Sequence, residues 1–418
     1  MRPLRPLAHT ALALGLAACG AATADRGDAA DVPSGATASP ARPPAQPAAQ
    51  PAAQAPAPGA GRVAELARHT GPPPAVRALY VNRFAAQSRA RMRALVALAD
   101  STEINALVID MKDEFGLNYA STVPRFAANA GEMAKVRDVR ALVDTLRAHG
   151  ILPIARLVVF KDSVTARAHP EWTIRRADGS IWRDHKGLAW VNPYHRELWD
   201  YNIGVAEELV RLGFGEVQFD YIRFPEPYRS LPTQVFSGSG GQSKPDAIAE
   251  FLRTANARLD RLGVRTTADV FGLTTTVNGP LEVAQHWEKL APVTDVLLPM
   301  VYPSHYPPGS LGVRRPNAEP YQIVNIAISR ARERSERLGV RGEAVRPYLQ
   351  AFSLGQPPYG AEEVRQQKRA VYDAGYDGWV LWHPGSKYEP FVAALERGEL
   401  VSRRKAQPTA APAAARAG

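Results

Sequence analysis

The segment Glu216–Pro225, EVQFDYIRFP, has the apolar and aromatic composition of a buried β-strand, yet it contains Asp220 and Arg223. Charged side chains are rarely buried unless they are paired or take part in function. Strand alternation places Gln218, Asp220 and Ile222 on one face. The segment therefore predicts a core strand whose end carries polar groups to a functional surface.

Seven further apolar segments have the length of short strands, and helical patterns, several ending in glycine, separate them. These segments are 76–84, 106–113, 152–160, 265–272, 295–303, 345–352 and 377–384. Eight such strands favour parallel pairing with right-handed crossovers, so the sequence predicts an α/β fold, a (β/α)8 TIM-type barrel. A doubly wound open sheet is the alternative, but no glycine-rich phosphate loop follows the first strand.

Polar and aromatic residues recur where the predicted strands end, and three long connections, at 163–196, 226–244 and 304–319, follow strands. A barrel brings these ends and loops together at its C-terminal mouth, where active sites form. The candidate site residues are Asp110, Lys112, Arg156, Asp220, Tyr221, Arg223, Asp269, Tyr302, His305, Gln350 and Trp382.

Two of these residues, Asp220 and Asp269, are carboxylates on neighbouring strands, which suits the hydrolysis of glycosidic bonds. One carboxyl group protonates the leaving oxygen, and the other attacks the sugar or activates water. We expect Asp220 to be the nucleophile or base, kept ionised by Arg156, Arg223 or Lys112, and Asp269 to be the acid. The alternative is a buried Asp–Arg pair that only ties strands together.

Aromatic residues in the loop 163–196 favour the same chemistry, because tryptophan faces stack on sugar rings. We expect at least one of Trp172, Trp182 and Trp190 to bind sugar and at least one to pack the loop onto the barrel. Trp199, inside a predicted helix, is predicted to be a core residue.

Several long sequence motifs also indicate a resemblance to a known family. The chain contains seven such motifs: VIDMKDEFG, ARLVVFKD, WRDHKGLAWVNPY, QFDYIRFP, ADVFGLTT, PMVYPSHY and GWVLWHP. Together they resemble a bacterial family of "putative glycoside hydrolases" with an alpha-amylase-like barrel, over about residues 76–390. The resemblance implies that Asp220 is the nucleophile of the fourth strand. Two positions depart from the alpha-amylase-like pattern: Gln218 replaces the usual arginine, and Asp269 replaces the usual glutamate acid/base.

Two other functions fit parts of the sequence. A non-catalytic carbohydrate-binding lipoprotein would keep the barrel and the aromatic residues, with Asp220 and Asp269 more than about 10 Å apart. A metal-dependent hydrolase could use Asp110, Asp269 and His305, but no His-x-His or His-x-x-x-His spacing occurs. We expect no metal and no cofactor.

The net charge of the chain and the distribution of its basic residues limit the classes of partner that we expect. The formal net charge is +10, but no Lys/Arg-rich run marks a nucleic-acid site, so we expect no nucleic-acid partner. A basic surface favours an acidic polymer or an anionic envelope equally well. The expected partner is a polysaccharide or oligosaccharide substrate, bound by a monomer.

The N-terminus predicts export and lipid anchoring. Arg2 and Arg5 precede a short apolar run, and LAAC ends at Cys19, the single cysteine of the chain. We expect a signal peptide at 1–18, lipidated Cys19 opening an Ala/Pro-rich linker at 19–75, the barrel at 76–400 and a disordered tail at 401–418. This organisation predicts a lipid-anchored protein of the bacterial cell envelope. Because Gly20 follows Cys19, the outer membrane is favoured.

Overall fold

The computed structural model describes residues 75–397. The predicted signal peptide, Cys19, the linker up to residue 74 and the predicted tail lie outside the described residues. Between residues 75 and 397, no helix is both long and apolar enough to cross a bilayer.

Eight parallel strands form a closed barrel. They are β1 Arg77–Val81, β2 Ala106–Asp113, β3 Leu152–Val158, β4 Glu216–Asp220, β5 Arg265–Phe271, β6 Val296–Met300, β7 Tyr348–Gln350 and β8 Trp379–Trp382. Each strand pairs with the next, and β8 pairs with β1. A two-residue strand, Gly116–Leu117, pairs antiparallel with the end of β2. The closed barrel confirms the predicted fold and excludes the open sheet.

Helices connect the strands on the outside of the barrel. They are α1 Arg89–Asp100, α2 Val139–Ala148, α3 Arg196–Arg211, α4 Lys244–Asp260, α5 Trp287–Leu290, α6 Pro320–Arg337 and α7 Ala361–Asp373. Shorter helices lie in the loops at Arg83–Gln87, Pro124–Ala127 and Ser163–Ala168. Single 3₁₀ turns lie at Pro170–Trp172, Gly272–Thr275, Ala291–Val293, Pro303–His305, Ser310–Gly312, Pro316–Ala318 and Glu389–Ala394.

The crossover after β5 differs from its sequence pattern. The pattern predicts a helix over 280–292, but only the four residues of α5 are α-helical. Ala284 has a φ of 72°, which interrupts a helix. The buried Gln285 side chain accepts a hydrogen bond from the Phe271 N–H at 2.8 Å and donates to the Asp269 carbonyl at 3.1 Å. This segment therefore fixes the end of β5 rather than extending α5.

The barrel interior contains polar layers as well as apolar ones. At the N-terminal end, Glu216 of β4 pairs with Arg346 and Arg265. Gln218 and then Asp220 follow on the same face of β4, as alternation requires. Apolar side chains from the other strands fill the space between, among them Ala78, Val108, Ile154, Leu298 and Val380. The row of polar side chains on β4 therefore extends along the barrel interior and reaches the mouth at Asp220.

The loop after β3 contains a small hairpin. Arg175 pairs with Ile181 in antiparallel register, and Gly179 takes the positive φ of 83° that the turn requires. Trp182 and Trp190 on this loop are 0% and 1% exposed. The loop therefore uses these two tryptophans as packing residues.

Trp199 and Trp172 have environments that differ from each other. Trp199 in α3 is buried, which confirms the prediction that it belongs to the core. Trp172 is half-buried and stacks on His169 with ring centres 3.9 Å apart. Trp172 is therefore the loop tryptophan that keeps a partly exposed face.

Candidate active site

Arg156 on β3 connects carboxylates from three other strands. Its guanidinium donates hydrogen bonds to Asp110 on β2 and to Asp220 on β4. Its Nε lies 3.6 Å from Oδ2 of Asp269 on β5. The structure thus brings four of the predicted site residues together at the C-terminal end of the barrel, and all four are buried.

Asp269 is the most deeply buried of these carboxyl groups, with 1% of the residue exposed against 7% for Asp220. The Gln218 amide donates a hydrogen bond to its Oδ2 at 2.9 Å. Burial raises the pKa of Asp269 well above its usual range, and the Asp220 charge raises it further, against the effect of Arg156. Asp269 therefore holds a proton under conditions in which an exposed aspartate has lost it.

Asp220 ends β4 at a sharp change of backbone direction. Tyr221 has a φ of 51°, a left-handed conformation that is strained for a bulky residue. In this conformation the Tyr221 N–H donates to Oδ1 of Asp220 at 2.5 Å. Arg156 binds the other carboxylate oxygen. Two donors therefore stabilise the negative charge of Asp220.

Asp110 has a partner that the sequence interpretation missed. The Tyr80 hydroxyl at the end of β1 donates to Oδ2 of Asp110 at 2.5 Å. Burial raises the pKa of Asp110, against the effect of the Arg156 charge. Tyr80 lies at a strand end like the other candidates, so the same rule could have found it.

Aromatic rings cover one side of this polar cluster. The half-buried Trp382 ring lies 5.9 Å from Tyr80, 5.6 Å from Tyr302 and 5.2 Å from Phe352, measured between ring centres. We call these four residues the aromatic wall. Phe352 is a member that the sequence interpretation missed, although it follows β7 by two residues.

His305 and Gln350 lie behind the aromatic wall. The Gln350 side chain is fully buried, accepts from the Ser304 N–H at 3.0 Å and donates to the Phe352 carbonyl at 2.9 Å. It holds two loops in place, and its contact with substrate stays a prediction. His305 packs against Tyr302, and burial lowers the pKa of its imidazole.

Lys112 does not reach the polar cluster. A bulge between Asp110 and Lys112 shifts the register, so Lys112 pairs with Leu157 instead of facing the barrel interior. Its buried ammonium lies 2.7 Å from Asp162 and donates to the Val158 carbonyl at 2.7 Å. Lys112 is therefore paired with Asp162 rather than with Asp220, and its contact with substrate stays a prediction.

Arg223 also binds elsewhere. Its guanidinium lies 3.0 Å from Glu226 and donates to the Phe224 carbonyl at 3.2 Å. The guanidinium carbon is 4.9 Å from the centre of the Tyr221 ring. Of the three cations proposed to hold Asp220, the structure places only Arg156 against it.

The metal-dependent alternative has no support in the geometry. Among residues 75–397, no group of three or more His, Cys, Asp or Glu side chains has the arrangement of a metal site. Asp110 and Asp269 are instead linked through Arg156.

Comparisons with solved structures show the same fold in other proteins. The glycoside hydrolase domain of PgaB (BpsB) from Bordetella bronchiseptica is 13% identical with a TM-score of 0.54, over 77% of this chain and 98% of that one. Alpha-L-fucosidase isoenzyme 2 from Paenibacillus thiaminolyticus is 12% identical with a TM-score of 0.50, over 77% of this chain and 48% of that one. At this identity the similarity is one of fold.

A family model assigns the chain to a family. A hypothetical protein from Ruminiclostridium thermocellum ATCC 27405 is 38% identical over 46% of this chain and 97% of its own, with a TM-score of 0.42. The curated proteins include no significant match. A family model described as "Putative glycosyl hydrolase domain" matches residues 78–388, which span the whole barrel from β1 to beyond β8. The chain therefore belongs to this glycosyl hydrolase family.

Proposed function

We propose that the protein hydrolyses glycosidic bonds of an envelope or extracellular polysaccharide, with Asp220 and Asp269 as the catalytic pair. The observation that carries this proposal is the shared contact with Arg156. One guanidinium contacts both carboxyl groups, and the charge of Asp220 acts directly on Asp269. The two groups are therefore close enough to act on one glycosidic bond.

Asp220 is the nucleophile or base in this mechanism. Arg156 and the Tyr221 N–H stabilise its negative charge, and Asp220 is the more exposed of the pair. It attacks the anomeric carbon, or it removes a proton from a water that attacks there. In both routes the bond from the anomeric carbon to the leaving oxygen breaks.

Asp269 supplies the proton that the leaving oxygen needs. Burial and the Asp220 charge raise its pKa, so its carboxyl group retains a proton to give. Because Asp269 is buried, the proton transfer requires its side chain to turn toward the sugar. The aromatic wall, with Trp382 as its most central ring, offers a face on which the sugar stacks.

Digestion of a glycan panel that includes cell-wall and exopolysaccharide polymers tests this proposal. The wild type should release reducing ends from at least one polymer, and Asp220→Asn and Asp269→Asn should bind that polymer without cutting it. If both variants cut at the wild-type rate, the assignment is wrong, and Glu226 is the next carboxylate to replace. If the wild type binds polymers and cuts none, the protein is the carbohydrate-binding lipoprotein.

We also propose that Cys19 is the lipidated mature N-terminus and anchors the protein in the cell envelope, at the outer membrane. The support is its position behind a charged and apolar leader. Cys19→Ser should move the protein into the soluble envelope fraction. A variant that stays with membranes after a high-salt wash would show that another feature anchors it.

A further inference from the structure

Lys161, three residues beyond β3, is a buried cation with no carboxylate in ion-pair range in the described part of the chain. The residue is 6% exposed. Its Nζ lies 4.9 Å from the centre of the Tyr221 ring. It forms no ion pair or hydrogen bond with any residue between 75 and 397, and its Nζ keeps some contact with solvent, so a ligand can reach it. A buried charge is unfavourable unless a group of opposite charge binds it.

The carboxylates around Lys161 are occupied or too distant to pair with it. Asp184 accepts from Trp190 Nε1 at 3.0 Å and from the Lys186 N–H at 2.9 Å. Glu114 is half-buried and influences the Lys161 charge, but it lies beyond ion-pair distance. Burial lowers the pKa of Lys161, but nearby Tyr221 and these two carboxylates raise it overall, so Lys161 remains charged at neutral pH.

A second cation approaches the same ring. The Arg223 guanidinium carbon is also 4.9 Å from the Tyr221 ring centre, and Arg223 has Glu226 as its carboxylate partner. Tyr221 directly follows Asp220 and is partly exposed. Lys161 and Arg223 thus both lie against the ring of the residue that directly follows the proposed nucleophile. We call Lys161, Tyr221 and Arg223 the cationic subsite.

We propose that the cationic subsite binds the carboxylate of a uronic acid, so that the substrate is an acidic polysaccharide. That the ligand is a sugar rests on the proposed function. That the ligand carries a negative charge rests on the Lys161 ammonium, which has no carboxylate in ion-pair range. A neutral hydroxyl does not offset the burial of a cation, whereas a carboxylate does so with a charge-assisted hydrogen bond. Residues 75–397 hold 41 Lys and Arg against 36 Asp and Glu, and this net positive charge adds a long-range attraction for an anionic polymer.

Binding measurements on the Asp220→Asn variant test the subsite apart from hydrolysis. Calorimetry would compare polygalacturonate, alginate, hyaluronan and polyglucuronate with the same polymers after reduction of their carboxyl groups to alcohols. At least one polyuronate should bind about tenfold or more tightly than its reduced form. Added Lys161→Gln should remove that difference without weakening the reduced polymer, and Lys161→Arg should restore part of it.

Two matched variants separate the local contact from overall charge. Lys289→Gln removes the same charge at a partly exposed position on α5, where Lys289 pairs with Asp246, and it should leave the preference intact. Glu114→Gln removes a negative charge near Lys161 and should strengthen polyuronate binding. Circular dichroism melting would confirm that each variant is folded.

The outcomes for the two proposals differ. If every polyuronate binds no better than its reduced form, or if the preference survives Lys161→Gln, the subsite proposal is overturned, even when a neutral polymer is cut. If dextran sulfate shows the Lys161 dependence and no polyuronate does, the carboxylate assignment is wrong. If wild type binds polyuronates through Lys161 and cuts none of the panel, the subsite stands and the hydrolase proposal fails.

Discussion

Two charged clusters lie inside the same barrel and share two strands. The lower cluster is Glu216 of β4 with Arg346 and Arg265, and the upper cluster is Arg156 with Asp110, Asp220 and Asp269. Glu216 and Asp220 are four residues apart on β4, and Arg265 and Asp269 are four apart on β5. Both clusters therefore arise from the same inward face of the same strands.

The clusters differ in the balance of charge. The lower one has one carboxylate for two arginines, and burial lowers the pKa of Arg265 against the effect of Glu216. The upper one has three carboxyl groups for one arginine, so burial leaves Asp110 and Asp269 with raised pKa values. Only the upper cluster holds protons that it can give away. It lies at the barrel face where catalysis occurs, and the lower cluster lies at the face that serves stability.

The largest expected effect is the loss of catalysis in the upper cluster. Asp269→Asn keeps the shape and the hydrogen bond from Gln218 but deletes the transferable proton, so kcat should fall about 10²–10⁴-fold. Asp220→Asn should lose at least as much, because it deletes the charge that Arg156 holds. Rates on a verified polymer, normalised to folded protein, provide the measurement. Wild-type rates in both variants would show that the upper cluster, like the lower one, does not act in catalysis.

The lower cluster should respond in stability instead. Glu216→Gln leaves Arg346 and Arg265 buried without their charge partner, which should destabilise the protein by about 3–5 kcal/mol. Urea unfolding measures this loss. The activity of the remaining folded protein should stay at the wild-type level, and a specific loss of kcat would show that the lower cluster also acts in catalysis.

Most of the fold and of the upper cluster could be predicted from the sequence. Alternating apolar segments locate all eight strands, and the rule that polar strand ends meet at a barrel mouth brings Asp110, Arg156, Asp220 and Asp269 together. The same rule applied to β1 would have added Tyr80. It works because register and alternation along a strand fix which side chains share a face.

The remaining features depend on contacts that no local pattern encodes. The bulge after Asp110 turns Lys112 toward Asp162, which is fifty residues away in the chain. Gln285 leaves its helical pattern because its side chain binds the end of β5. The local sequence does not distinguish Lys161 from a surface lysine. Only the folded structure shows that Lys161 packs against the Tyr221 ring.

The pH dependence of stability should follow the proton on Asp269. Because burial raises the pKa of folded Asp269, the resulting stabilisation is fully present below the unfolded value of about 3.9 and is lost as pH rises through the folded value. Asp269→Asn imitates the uncharged form. The unfolding free energy of the variant relative to wild type should therefore increase as the pH rises above about 5.

The exposed Asp200→Asn provides the control for this measurement, since Asp200 lies on α3 outside the barrel. Its unfolding free energy relative to wild type should change little over the same pH range. A wild-type stability that shows no decline as Asp269 loses its proton would contradict the assignment of a retained proton to the upper cluster.

The smallest expected effect concerns the aromatic wall above the upper cluster, and β8 offers a matched pair of tryptophans. Trp382 is half-buried at the mouth, whereas Trp379 is fully buried on the opposite face and donates to the Tyr372 hydroxyl at 3.1 Å. Trp382→Leu should raise KM about two- to tenfold, the loss of one aromatic contact of about 0.5–1.5 kcal/mol, with little change in kcat or melting. Trp379→Leu should lower the melting temperature and leave KM unchanged. Equal effects of the two substitutions on KM and melting would show that Trp382 is a packing residue and that the aromatic wall does not bind sugar.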